Sequence, residues 1–197
     1  MAVNVAISGF GRIGRLVLRS IIESKRKDIN VVAINDLAPV DTNAFLLAND
    51  TVHGPLNEKI SVKKNKMTIG RKTILVLNER DPQKLPWKKM KIDVALECTG
   101  LFTSKEKASM HIKAGAKKVL VSAPCSEADK TIVYGVNEQE ITHNDLVVSN
   151  ASCTTNCLAP VVKVLHEKFG IVHGYMTTIH AFTGCLLYTS DAADDTP

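Results

Sequence analysis

Aromatic residues are scarce in this chain: they make up 5% of 197 positions, with a single tryptophan, Trp87. A nucleic-acid surface wants aromatics interleaved with its cations. The net charge of +5 comes instead from short lysine clusters, such as Lys63, Lys64 and Lys66 or Lys113, Lys117 and Lys118. These read as solvated faces, and no nucleic-acid partner is expected. Long apolar runs are missing too, so no segment is expected to span a membrane. Met1 to Ile7 enters a strand pattern with no basic stretch before it, so no signal peptide is expected and the cytoplasm is the default location. The five cysteines are odd in number and irregularly spaced, which argues against a disulfide framework. Cys153 and Cys157 lie four apart but lack two further ligands nearby, so no metal is expected.

What remains is an ordinary globular composition, 45% hydrophobic and 23% charged. The length suffices for one good core and part of a second domain. Val3 to Ser8 is a short apolar strand followed by a glycine turn. Ile13, Leu16, Val17 and Ile21 then recur at helical spacing. Ile29 to Asn35 is a second β-branched run ending at Asp36, which completes a β–α–β unit. A short helix is expected after Asp41 with Phe45 and Leu46 facing inward. Strands are expected at Lys72–Asn78, Asp93–Glu97, Val119–Ser122 and Leu146–Ser149. Thr103 and Glu106 form a capping-box pattern for a helix that Gly115 would stop. A helix from Cys153 or Thr154 should be kinked or shifted by Pro160. Its Val161, Val162, Val164, Leu165 and Phe169 give an apolar face, and Gly170 supplies a stop. Gly174–Ala181 reads as a further strand with His180 near its end.

Strands alternating with helices imply an α/β protein with a mostly parallel sheet and helices on both faces. Ligands of such sheets bind at the carboxyl ends of the strands. Gly9, Asp36, Thr99, Ser122 and Cys153 each follow a strand candidate, so they converge on one edge. Gly9-Phe10-Gly11-Arg12-Ile13-Gly14 has the strand-before, helix-after context of a dinucleotide site. Gly9 allows the tight turn, Gly11 lets backbone approach a pyrophosphate, and Gly14 allows close helix–strand packing. Asp36 lies 22 residues after Gly14, placed to accept from an adenosine ribose and to repel a 2′-phosphate. NAD is therefore favoured over NADP. The alternative is a structural turn with a capping aspartate.

Ser152-Cys153-Thr154-Thr155-Asn156-Cys157 puts a thiol where a strand runs into a helix. The helix N-terminus favours the thiolate, and the hydroxyls of Ser152, Thr154 and Thr155 can hold an anion beside it. Burial as a packing residue is the alternative; it suits Cys98, Cys125 and Cys157. His180 is placed to serve as a base for the thiol and then for a thiohemiacetal hydroxyl. The other histidines, His53, His111, His143, His166 and His173, read as structural or surface residues.

These segments resemble the phosphorylating glyceraldehyde-3-phosphate dehydrogenase family. The likeness is carried by Gly9–Gly14, Val31–Asp36, Asp50–Gly54, Glu97–Gly100, Ser149–Cys157 and His180–Gly184, in that order. The resemblance implies a Rossmann-type doubly wound parallel sheet followed by the start of an α+β substrate domain. It divides the chain into an NAD-binding domain at 1–152, the beginning of the catalytic domain at 153–184, and a tail at 185–197. It implies Cys153 as nucleophile and His180 as the base that activates it. Gly9, Phe10, Gly11, Arg12, Ile13, Gly14, Asp36, Arg80, Thr99, Gly100 and Ser122 fall on its cofactor side. Ser152, Cys153, Thr154 and Thr183 fall on its substrate and phosphate side. The implied cofactor is NAD, and the implied partners are glyceraldehyde 3-phosphate, inorganic phosphate and further copies in a homotetramer. The implied place is glycolysis in the cytoplasm. Erythrose-4-phosphate dehydrogenase shares this chemistry and stays open, as does a non-catalytic NAD-binding fragment.

After Gly184 the family pattern continues with an aspartate, where this chain has Cys185. The expectation for 185–197 is a non-family tail, from a truncated or frameshifted product or a sequencing or cloning artefact; a genuine alternative C-terminus is the other reading. The family's further phosphate-binding arginine and its nicotinamide-amide ligand fall beyond this point. On that expectation the chain alone binds NAD weakly and turns over little.

Overall fold

The computed structural model describes residues 2–180. Its strands are β1 (Val3–Ser8), β2 (Ile29–Asn35), β3 (Asn49–Asp50), β4 (Gly54–Pro55), β5 (Ile60–Lys63), β6 (Lys66–Ile69), β7 (Lys72–Leu77), β8 (Val94–Glu97), β9 (Lys118–Val121), β10 (Lys130–Thr131) and β11 (Val147–Ser149). Its helices are α1 (Arg12–Glu23), α2 (Val40–Ala48), α3 (Lys105–Ala108), α4 (Met110–Lys113) and α5 (Cys153–Phe169). Nine strands form one sheet in the order β10-β11-β9-β8-β1-β2-β7-β6-β5, while β3 and β4 pair separately. All pairings from β10 to β7 are parallel, and β7-β6-β5 is an antiparallel meander. The parallel α/β sheet expected from the sequence is present, with an antiparallel extension at one edge. That extension has its own signal: Met67 and Ile69 are buried and alternate with Lys66 and Thr68, and Lys64 in the tight turn before β6 has φ 54°.

Alternation divides the side chains between two faces. Val5 and Ile7 join Leu18 of α1 and Leu47 of α2 in one core, with Val31, Ile34, Met67 and Ile74. Ala6 and Ala33 join Ala95, Val119 and Val121 in the other, beneath Trp87 and the α3–α4 segment. The pairing of β1 with β2 shifts between Val5 and Ala6. That irregularity lets Val31 and Ile34, three apart, face the same core.

Several local expectations change. In α1 the most buried residues are Gly14, Leu18 and Arg19, whereas Ile13 is half-exposed. In α2 the inward residues are Asn43, Ala44 and Leu47. Phe45 and Leu46 therefore point outward, because Ala44 and Leu47 already share the face over the sheet. The cap of α3 is Ser104, not Thr103; its hydroxyl accepts from the Lys107 amide. The helix expected there is two four-residue pieces divided at Ser109, and Gly115 stops it with φ 107°. In α5, Pro160 sits inside a helix that runs from Cys153 to Phe169 and starts where expected. None of its residues is buried, so the apolar face at Val161, Val162, Val164 and Leu165 lacks a covering layer among the described residues. Residues 171–180 form no strand, and Tyr175 and Ile179 are fully exposed. A strand needs a neighbour to satisfy its backbone, and no neighbour stands there among the described residues. Thr183 and the segment 185–197 lie outside the described residues, as does the end of the expected Gly174–Ala181 strand.

Candidate active site at the carboxyl edge of the sheet

From β1 the chain winds outward through β2 and β7 on one side and through β8, β9 and β11 on the other. The reversal between β1 and β8 is the topological switch point at which doubly wound sheets leave a crevice. Past the strand ends, backbone hydrogen bonds continue across this edge. Asp36 N donates to Leu77 O at 3.0 Å, Gly9 N to Asn35 O at 2.8 Å, and Cys98 N to Ser8 O at 2.7 Å. Ser122 N donates to Glu97 O at 3.0 Å and Asn150 N to Val121 O at 2.8 Å. One row thus holds Asp36, Gly9, the Cys98-Thr99 corner, Ser122 and the loop leading to Cys153.

The glycine turn has little spare room except where a ligand would need it. Gly9 has φ 86°, and a Cβ there would stand 2.6 Å from Thr99 N. A Cβ on Gly14 would stand 2.2 Å from Gly9 O. A Cβ on Gly11 would meet nothing within 4 Å. Gly11 is also the N-cap of α1, brings no side-chain cap, and is followed by no acidic residue in the first turn. The helix therefore presents amide hydrogens and the positive end of its dipole to open space, which suits a pyrophosphate. The Ser8 hydroxyl, buried at the end of β1, has no partner among the described residues.

Asp36 ties the second strand to this turn. Its Oδ2 accepts from Phe10 N at 2.6 Å, and its Oδ1 accepts from Ala38 N at 2.8 Å and Asn43 Nδ2 at 3.4 Å. Phe10 itself is buried. Arg12 reaches Asp50 at 3.4 Å, whose carboxyl is held below the usual range chiefly by the His53 amide. Ile13 is at the surface of the first turn. Arg80 is exposed on a loop fixed beside Asp36: Asn35 Nδ2 donates to Glu79 O and Glu79 N donates to Asn35 Oδ1, both at 3.0 Å. Gly100 has φ 73° with open space at its Cβ position.

The cysteine loop is pinned before its helix begins. Ser149 Oγ donates to Ala123 O at 2.8 Å and accepts from Ala151 N at 3.1 Å. Ala151 is held at φ 56°, an uncommon conformation for a non-glycine residue. Ser152 caps α5, its hydroxyl accepting from Thr155 N at 3.0 Å and bonding the Thr155 hydroxyl at 2.7 Å. One hydroxyl proton of that pair remains for a ligand. Cys153 is exposed at the first helical position. Its Sγ lies 3.0 Å from His180 Nε2. That contact lowers the thiol pKa first of all, with Thr154 adding backbone and side-chain bonds. Cys98 differs: burial pushes its thiol up to about 11. Burial also raises Cys125. Cys157, expected to be buried, is exposed on α5. No sequence motif singles out Trp87 or Asn43, and Glu97 enters only as a strand end within the family-like segment Glu97–Gly100, although a carboxylate closing a buried strand is itself a signal.

Among the described residues no helix is long and apolar enough to cross a membrane, and no three His, Cys, Asp or Glu residues gather as a metal site.

A glycine turn opening onto an uncapped helix, beside an acidic residue closing the next strand, defines a dinucleotide-binding α/β protein. Comparison with known sequences narrows the class. Residues 3–105 match the family model described as glyceraldehyde 3-phosphate dehydrogenase, NAD binding domain, and 152–194 match that family's C-terminal domain. The chain belongs to the glyceraldehyde 3-phosphate dehydrogenase family. The second match extends into the segment 185–197. Proteins named glyceraldehyde-3-phosphate dehydrogenase from Xanthobacter flavus and Cereibacter sphaeroides are each 60% identical over 184 residues, 93% of this chain and 55% of theirs. One from Thermotoga maritima is 52% identical over 180 residues, 91% of this chain and 54% of its own. The chain thus spans about 55% of the length of the Xanthobacter flavus and Cereibacter sphaeroides proteins.

Proposed function

We propose that this chain carries the cofactor edge and the nucleophile for NAD-dependent oxidation of glyceraldehyde 3-phosphate, with inorganic phosphate, to 1,3-bisphosphoglycerate. Residues 1–152 are the nucleotide-binding unit, and 153–184 begin the unit that handles the aldehyde. The observation that carries the proposal is the 3.0 Å contact of Cys153 Sγ with His180 Nε2. It stands at the end of the strand row that also holds Gly9, Asp36 and Thr99.

NAD, when bound, supplies the hydride acceptor. Gly11, Arg12 and Ile13 would present backbone to its pyrophosphate; Asp36 would take the adenosine ribose; Arg80, Thr99, Gly100 and Ser122 would line the rest of that edge. Cys153, as thiolate, attacks the aldehyde carbon and forms a thiohemiacetal. His180 takes the hydroxyl proton as the hydride leaves, giving a thioester. Ser152, Thr154 and Thr183 hold phosphate, which attacks the thioester carbonyl and releases the Cys153 thiolate with the acyl phosphate. The thioester retains the energy of oxidation for that second step, provided water is kept away. For the full-length protein we propose a homotetramer in the cytoplasm.

The test is NADH formation from glyceraldehyde 3-phosphate and NAD, with and without phosphate, using erythrose 4-phosphate alongside. Phosphate-dependent NADH that favours the triose and disappears in Cys153→Ser supports the proposal. Preference for the erythrose substrate moves the assignment to erythrose-4-phosphate dehydrogenase. That no residue of α5 is buried, and that Tyr175 and Ile179 are fully exposed, favours a second reading, a module that binds NAD without turnover. NAD binding with no NADH from either aldehyde supports that one.

A further inference from the structure

His111 and Glu97 have no part in the chemistry above, yet their side chains are the most enclosed ionisable pair at this edge, 0% and 1% exposed. Their hydrogen bonds run in one direction only. Trp87 Nε1 lies 3.0 Å from His111 Nδ1. An indole N–H only donates, so Nδ1 is the acceptor and carries no proton. The ring proton is therefore on Nε2, which donates to Glu97 Oε2 at 2.8 Å. Glu97 Oε1 accepts from the Thr99 amide at 2.7 Å and from the Thr99 hydroxyl. With its proton given to Glu97, Thr99 Oγ1 accepts from Leu101 N at 3.0 Å. The Trp87 ring stacks on His111 at 24°, and Phe102 meets it edge-on at 79°.

We infer that Trp87, His111 and Glu97 are positioning residues for the cofactor, holding the Thr99–Gly100–Leu101 turn at the switch point through this one-directional relay. The inference rests on the proposed placement of NAD at this edge. Thr99 N lies only 2.6 Å from where a Gly9 Cβ would be, so the two turns pack backbone against backbone, and a Thr99 turn pushed towards Gly9 bears on the glycine turn. An acceptor with three donors explains how a carboxylate is kept in a core otherwise lined by Ala95, Ala108 and Val121. Buried charge is retained only where each donor and acceptor is matched. A role in packing alone needs shape there and not the direction of a proton.

The test measures NAD affinity by calorimetry, helix content by circular dichroism and the His111 tautomer by nitrogen-15 NMR, all on the 197-residue chain. The wild-type imidazole is expected as the Nε2–H form. In His111→Gln the amide oxygen accepts from Trp87 and the amide nitrogen donates to Glu97, so the NAD dissociation constant stays within about threefold. His111→Phe keeps the ring but breaks both bonds, and the constant rises about tenfold or more. Trp87→Phe is the second variant, should His111→Phe not fold. It frees Nδ1 only, and is expected to mix the tautomers and weaken NAD severalfold. Folded His111→Phe or Trp87→Phe with wild-type affinity overturns the inference, as does an Nδ1–H tautomer in the wild type. A wild-type chain that folds but binds no NAD overturns the cofactor placement itself, and the inference with it.

Discussion

The Phe10 amide donates to Asp36 Oδ2 at 2.6 Å, so the glycine turn after the first strand is fastened to the acidic residue after the second. Two residues 26 apart in sequence thereby form one unit. On the proposed placement of NAD, the carboxylate that takes the ribose also sets the turn that faces the pyrophosphate.

Asp36→Asn is expected to weaken NAD about tenfold. It replaces a charge-assisted bond, of about 1.5–3 kcal/mol, with a neutral one. NADP should lose less affinity, because the charge opposing a 2′-phosphate is gone. Calorimetric titration of both cofactors measures the ratio; an unchanged NAD-to-NADP preference contradicts the role.

The glycines separate structure from binding. Gly14→Ala forces a Cβ to 2.2 Å from Gly9 O and should cost about 3 kcal/mol of stability. Gly11→Ala meets nothing within 4 Å and has ordinary backbone angles, so it should cost under about 1 kcal/mol. It should nonetheless weaken NAD. Urea melts with parallel NAD titrations distinguish the two; equal destabilisation contradicts this account.

Alkylation of cysteines should be selective. The His180 contact favours the Cys153 thiolate, so the iodoacetate rate at Cys153 should rise with pH through an inflection below the ordinary thiol value of 9.0. In His180→Gln that inflection moves up. Cys98, raised to about 11, should remain unlabelled at neutral pH. Peptide mapping across a pH series checks all three, and an inflection unmoved in His180→Gln counts against the pairing.

Gly115→Ala should destabilise and also weaken NAD. The residue has φ 107°, and a Cβ would come within 2.4 Å of Lys88 Cβ and 2.6 Å of Lys88 N, so the backbone next to Trp87 must shift. Melting temperature and NAD titration together check it; full affinity in a folded, destabilised variant would contradict the link through Trp87.

The parallel sheet and its carboxyl edge were legible because each strand is a short apolar run ended by Gly9, Asp36, Thr99, Ser122 or the Ser152-Cys153 cap. Local periodicity and capping residues specify such units without long-range information. Helix rotation was harder to read. Phe45 and Leu46 are large and apolar, yet Ala44 and Leu47 occupy the inward face of α2. Strand pairing at 174–180 depended on neighbours that local sequence does not describe. The Trp87–His111–Glu97 line joins residues from a loop, a helix and a strand, so no spacing rule reveals it. A buried glutamate ending an apolar strand was its only trace in the sequence.

The account is tested most directly by mixing the chain with NAD and glyceraldehyde 3-phosphate in the absence of phosphate and taking the mass of the Cys153 peptide after acid quench. The account predicts one acyl adduct per chain, confined to Cys153, formed with an equal amount of NADH and discharged on adding phosphate. An unmodified Cys153 in a folded chain that binds NAD would contradict it.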